Sequence, residues 1–200
     1  ILPVAAREDA RLLPVLNSFQ PFTSTANVNY QTARAVMDLS KSHLNRAVVR
    51  SSWERKTIEV LEDLDCVECF APNDRQIGLI VPYEHEGVRH NYEPDFIVKL
   101  GNAKHVMLEI KGEAGRMHDP DMVEAKNAAA RKWVAAVNNL GRWGQWVFEM
   151  CEDPAKVRQI IEKHVDQEVG LHQLDPQLSP HQRRRPLQRR QGHIPSGIEQ

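Results

Sequence analysis

Two runs of alternating side chains on either side of a turn signal constrain this chain more than any other feature. Residues Pro94–Leu100 and His105–Lys111 change character at every second position, and Gly101-Asn102 lies between them. A period of two fits a pleated strand, and a glycine–asparagine pair between two such runs marks a hairpin. On the first strand Phe96, Val98 and Leu100 form an apolar row, with Asp95, Ile97 and Lys99 opposite. On the second, Val106, Leu108 and Ile110 point one way, and His105, Met107, Glu109 and Lys111 the other. If the apolar rows share a core, Asp95, Glu109 and Lys111 share the other side. A register in which paired residue numbers sum to 204 sets Asp95 across from Glu109, with opposed Cβ atoms about 5 Å apart. A two-residue loop at Asn102-Ala103 gives an odd sum, so this register requires a three-residue turn or a bulge.

The hairpin sits in the middle of three zones. Residues 1–50 mix apolar patches with Pro3, Pro14 and Pro21 and a polar stretch, and read as a linker or docking segment with at most one helix. Residues 51–168 hold the periodic patterns and form the predicted domain. Residues 169–200, with the run Arg183-Arg-Arg-Pro-Leu-Gln-Arg-Arg190, read as a basic, disordered tail. Within the domain, Ser51-Ser-Trp-Glu54 has capping-box spacing and opens a helix carrying Trp53, Thr57, Val60, Leu61 and Leu64 on one face. Strands are predicted over 66–70 and 77–83 before the hairpin. A helix follows over 121–138, with Val123, Ala130, Val134 and Val137 among its buried candidates, then a strand over 143–151. Asp153-Pro154 caps a last helix running through Val157, Ile160, Ile161, His164 and Val165. Helix, strands, helix, strand, helix is an α/β order suited to a small mixed sheet flanked by helices.

Charge balance sharpens what such a domain can do. The chain has 26 Lys+Arg against 27 Asp+Glu, a formal charge of −1, which excludes a uniformly basic histone-like protein but not a local nucleic-acid site. Residues 172–200 carry +3, so the body carries −4. Bulk attraction to nucleic acid is therefore weak in the body, whereas a divalent cation between carboxylates would let phosphate approach. Three cysteines (Cys66, Cys69 and Cys151) are too few and odd in number for a disulfide framework, which points to a reducing cytoplasm. No apolar run approaches the roughly 20 residues that cross a bilayer, so no membrane association is expected. No secretory leader is apparent, and the first residue, Ile1, suggests a fragment or a processed product.

Two carboxylates side by side repel unless a cation sits between them, which makes Asp95 and Glu109 a hard-oxygen site suited to Mg²⁺, with Mn²⁺ as a substitute. The carbonyl of Ile110 can complete the protein half of the shell, and water the rest. Lys111 on the same face can orient or help deprotonate a water and offset charge building on a phosphate. That donor set suits hydrolysis of a phosphodiester.

Pro94-Asp95 followed by Glu109-x-Lys111 resembles the PD-(D/E)xK nuclease motif. The ordered segments Ser52-Trp-Glu54, Ile80-Val-Pro-Tyr83, Tyr92-Glu-Pro-Asp-Phe-Ile-Val98, Leu108-Glu-Ile-Lys-Gly112 and Lys126…Trp133-Val…Val137-Asn138, with Lys41-Ser-His-Leu-Asn45 before them, are similar to the C-terminal nuclease domain of type III restriction enzyme Res subunits and related helicase–nuclease proteins. The resemblance spans roughly residues 30–150. It implies a restriction-endonuclease-like αβββαβ core and magnesium-dependent endonucleolytic cleavage of DNA in the cytoplasm. It also implies a helicase/ATPase motor elsewhere in the polypeptide and, for true type III restriction-modification systems, a methyltransferase (Mod) subunit. Asp95 and Glu109 become metal ligands and Lys111 the catalytic lysine. Glu54 matches a first-helix acid that reaches the metal, and Lys126 a phosphate contact or support for the site. The chain has no G-x-x-x-x-G-K-[ST] phosphate loop and no Asp-Glu-Ala-His-type motor motif, so no ATP site is assigned to these 200 residues.

Plainer explanations compete at several positions. A capping-box role accounts for Glu54 without chemistry, and Lys126 reads first as a solvated helix lysine. Trp133, Trp143 and Trp146 read as core residues before base-stacking platforms. Cys66-x-x-Cys69 lacks a second ligand pair and suits a strand with small buried residues. His85 and His90, five apart and beside Pro82 and Gly87, fall in a predicted loop and cannot form a helical zinc pair. The arginine-rich tail suits non-specific phosphate contacts as well as it suits a solvated end. The alternative for the whole domain is a non-catalytic nucleic-acid-binding or docking module that keeps the nuclease fold.

Overall fold

A computed structural model describes residues 11–15, 19, 23–111 and 119–165. The predicted tail over 169–200 lies outside the described residues, as does Gly112 at the end of the Glu-x-Lys segment. Among the described residues no helix is long and apolar enough to cross a membrane.

The architecture is α/β, a mixed sheet flanked by helices. Its elements are β1 (Val36–Asp38), β2 (Arg46–Val48), α1 (Ser52–Asp63), β3 (Val67–Pro72), β4 (Val81–His85), β5 (Val88–Tyr92), β6 (Phe96–Leu100), β7 (Lys104–Ile110), α2 (Pro120–Leu140), β8 (Gln145–Cys151) and α3 (Val157–Glu162). The main sheet has the order β3-β6-β7-β8; β6 pairs antiparallel with both β3 and β7, and β8 lies parallel to β7. The parallel pairing is possible because α2 carries the chain back between the two strands.

Both sheet faces are covered. On one, Phe96, Val98, Leu100, Val106 and Leu108 meet Ile58, Leu61 and Leu64 at α1 and Val157 and Ile161 of α3. On the other, Met107 packs with Ala130 of α2 and with Val81 and Tyr92 of the β4–β5 hairpin. The helices start where the sequence supplies caps. Ser51 Oγ accepts from the Glu54 amide at 3.1 Å, and Asp119 Oδ1 accepts from Asp121 at 3.0 Å with Pro120 in the first turn of α2. Gly141 closes α2 in the left-handed region at φ 67°.

Four expectations are corrected. The linker predicted before residue 51 contains the β1–β2 hairpin, whose Ala47 is buried in the main core with Met37, Leu39 and Val49 packed against it. Strands of three residues are too short to show a period. The loop predicted around His85 and His90 is the β4–β5 hairpin, turning at Glu86 (φ 49°) and Gly87 (φ 76°). Two successive left-handed residues make the tight turn that matches strand twist, and Pro82 is tolerated because this pair stands outside the main sheet. The last helix is shorter than predicted: a 3-10 turn over Pro154–Lys156 leads into α3, which ends at Glu162. Trp133 and Trp146 are half-buried rather than fully enclosed, in an edge-to-face pair at 5.2 Å, and the other face of Trp146 stacks on His105 at 4.8 Å.

Candidate active site

The β6–β7 ladder pairs Phe96 with Leu108, Ile97 with Met107, Val98 with Val106 and Lys99 with His105, a register in which every pair sums to 204. The turn between them is Gly101-Asn102-Ala103, with Ala103 at φ 65° and its N–H donating to the Leu100 carbonyl at 2.9 Å. A three-residue turn ending in a left-handed residue keeps the sum even. The next positions in this register are Asp95 and Glu109.

Asp95 is clamped from both neighbouring strands. Its carbonyl accepts from the Asn73 amide at 2.7 Å, just past β3. Its carboxylate Oδ2 accepts from the Ile110 amide at 2.7 Å, at the end of β7. Asn73 is itself 4% exposed, and its side-chain amide donates to the Pro94 carbonyl at 2.8 Å and the Leu79 carbonyl at 2.9 Å. The Pro94-Asp95 step is thus fixed by backbone hydrogen bonds that tolerate little play.

The electrostatics around Asp95 are those of crowded acids. Its carboxyl is pushed up to about 7, first by burial and next by the charge of Glu109, with Glu54 adding to the effect. The Ile110 amide and the Lys126 ammonium pull in the opposite direction without cancelling it. Glu54 approaches from α1, and with Asp95, Asn73, Arg50 and Tyr30 it lines a small cleft of about 30 Å³, room for water or one ion. Its Oε2 accepts from the Arg50 amide at 2.8 Å, one residue before the Ser51 cap, so the carboxylate both ties down the start of α1 and forms part of the acidic cleft wall.

Glu109 lies deeper, its side chain 12% exposed. The Tyr92 hydroxyl donates to its Oε2 at 2.9 Å, and Lys126 of α2 forms an ion pair with its Oε1. Burial, and then the Glu109 charge, drive the Tyr92 phenol far above its ordinary value, so it stays a neutral donor. The Lys126 ammonium sits 4.6 Å from the centre of the Tyr92 ring, a cation–π contact.

No family model, curated protein or solved structure matches this chain.

Asp95 and Glu109 come together, with Glu54 near enough to act on Asp95. Lys111, one residue past β7, keeps the ladder through its amide bond to the Cys151 carbonyl (2.9 Å), while its ammonium lies 3.4 Å from Glu152. Lys126, first read as a solvated helix lysine, instead contacts Glu109 and Tyr92; α2 packs on the sheet at this point and turns the lysine inward. Tyr92 and Asn73 are residues that sequence reasoning missed. Tyr92 stands three positions before Asp95 in the same segment, and that closeness is the one local signal that could have found it. Nothing local marked Asn73.

Among the described residues no three His, Cys, Asp or Glu side chains converge closely enough to hold an ion on their own. A cation here would take Asp95, Glu109 and the Ile110 carbonyl, with water completing its shell. That donor set fits a hard divalent ion: two acids side by side, one of them held far above its ordinary protonation range first by burial and next by the charge of the other. Cys66 and Cys69 are free, half-buried thiols whose pKa burial raises. His90 stacks on Tyr83 at 5.2 Å, and His85 Nε2 lies 3.4 Å from Asp119.

Proposed function

We propose that this chain is a metal-dependent endodeoxyribonuclease domain of the PD-(D/E)xK kind, part of a restriction or helicase–nuclease system. The observation that carries the reading is the β6–β7 register, whose continuation beyond Phe96–Leu108 would set Asp95 opposite Glu109, two acids close enough for the charge of one to act on the other. The order α1, β3, β6, β7, α2, β8 supports a restriction-endonuclease-like αβββαβ core, with the β4–β5 hairpin inserted after its first strand. Asp95, Glu109 and the Ile110 carbonyl would hold Mg²⁺ or Mn²⁺. When bound, such an ion supplies stabilisation of charge on the phosphate and a more acidic water. The protein's own work is positional: Asn73 and the Ile110 amide fix Asp95, Tyr92 fixes Glu109, and Lys111 presents its ammonium at the strand end beside Glu152. Translocation, and the grip on DNA that an acidic body lacks, would come from a motor and a methyltransferase partner outside these residues.

A non-catalytic nucleic-acid-binding module is the second reading. It is favoured by one observation, that both Glu109 oxygens already have partners. Plasmid nicking with and without Mg²⁺ separates the two. The nuclease reading expects metal-dependent nicking that falls by roughly two to three orders of magnitude in Asp95→Ala and Lys111→Ala, the scale of losing one transition-state contact. DNA binding with no cleavage, or nicking that survives both substitutions, overturns it.

A further inference from the structure

The acid pair already has a cation, and that cation belongs to the chain. Lys126 is only 25% exposed at its side chain and makes an ion pair with Glu109 Oε1, while Tyr92 occupies Oε2. Its charge also acts on Asp95. The helix around it, Ala125 to Ala130, offers no competing acid; Asn127 beside it is buried against Met150. Tyr92 gives the ammonium a second seat, since the face of the ring lies 4.6 Å from Nζ and does not depend on Glu109. A divalent ion shared by Asp95 and Glu109 at oxygen distances of about 2.0–2.1 Å would stand within a few ångströms of this ammonium. Two cations cannot both sit there in a half-buried, water-poor place without strong repulsion.

We propose that Lys126 is a resident counter-cation of the Asp95–Glu109 pair, which a divalent metal must displace from Glu109 before both carboxylates can hold it. The inference rests on the nuclease reading for the metal and goes beyond it for the lysine, which acts as a positioning residue on the metal-free site. Metal affinity is then set by an exchange of cations and not by the carboxylates alone. The lysine holds Glu109 in its ligating position while the metal is absent, and it retreats along the Tyr92 face when the metal arrives.

Titration of the whole chain with MnCl₂ by calorimetry tests this, with far-UV circular dichroism confirming that each variant is folded. Lys126→Gln removes the competitor, and Mn²⁺ binding should tighten by roughly tenfold, the scale of a partly buried ion pair. Tyr92→Phe keeps the ring but releases Oε2, and should tighten binding by a smaller factor. Lys126→Arg retains the charge and should bind Mn²⁺ as weakly as the parent chain, a rescue that loss of packing alone would not give. If Lys126→Gln and Tyr92→Phe bind Mn²⁺ no more tightly than the parent, while Asp95→Ala abolishes binding, the counter-cation inference is overturned and the metal site stands. If no variant binds Mn²⁺ at all, the nuclease reading itself falls, and the inference with it.

Discussion

Replacing Asp95 by asparagine should make the metal-free protein more stable above neutral pH, against the usual rule that removing a buried, hydrogen-bonded group weakens a fold. The amide keeps an oxygen for the Ile110 N–H, now 2.7 Å from the carboxylate, and discards the charge that Glu109 and Glu54 oppose. In the folded chain the Asp95 carboxyl titrates near 7 against 3.8 for the free group. Between those values the folded state holds a proton that the unfolded chain has released, so stability falls as pH rises and levels off above about 7. At 1.36 kcal/mol per pH unit, the loss between pH 5 and pH 8 has a ceiling of about 3 kcal/mol, reduced by whatever the site relaxes. Because the Glu109 charge acts on Asp95, the substitution reports on the site and not on one carboxyl alone. Urea denaturation in EDTA at pH 5 and pH 8 measures it: the variant should lack this loss, and at pH 8 its midpoint should lie higher by about 1 M, given slopes of about 2–3 kcal/mol/M. Excess Mg²⁺ should stabilise the parent at pH 8 and leave the variant unmoved. Parallel pH profiles for the two chains, or a parent that is the more stable at pH 8 without metal, would show that burial and the neighbouring acids do not hold the Asp95 carboxyl protonated.

Two further outcomes follow from the supports of the site. Asn73→Ala strips partners from the Pro94 and Leu79 carbonyls in a buried place, which should cost about 1–3 kcal/mol in denaturant; nicking should fall by more than the lost folded fraction, and a fall that merely tracks stability would remove Asn73 from the support of Asp95. Ala103→Gly relieves a left-handed alanine at φ 65° and should stabilise by about 1 kcal/mol in a thermal melt; a lower melting temperature would mean the turn bears no such strain.

The β6–β7 register was legible because three local signals agree: alternation on Phe96–Leu100, alternation on Val106–Ile110, and a turn whose length fixes parity. Capping at Ser51 and Asp153 was legible for the same reason, since a cap is a short-range bond. The β4–β5 hairpin was not, because its inner row, Val81, Tyr83 and His85 against Val88, His90 and Tyr92, mixes apolar and polar groups and is only partly covered by α2. Ile58, among the most buried residues of α1, was passed over in favour of Trp53, which sits nearer the helix start and is half-exposed. The contact of Lys126 with Glu109 joins positions 17 apart across a helix and a sheet. Helix periodicity can tell which face is apolar, but not that a lysine at the edge of that face will be drawn in by a buried acid.

The three-residue turn at Gly101-Asn102-Ala103 has a reach well beyond its own surroundings. It stands at the far end of the hairpin, roughly 17 Å from the carboxylates at the rise of an extended strand, and loop tips of that kind ordinarily absorb insertions and deletions freely. Here its length sets the phase of the two strands, because a slip of one residue turns every side chain to the opposite face. Glu109 would then point toward the core face of Phe96 and Ile58, and Leu108 would take its place beside Asp95. The strands could still pair and the helices could still form, yet the chemistry would be gone. The turn thus works as a gauge for the acids, and its residue count is as much a part of the site as the carboxylates it aligns.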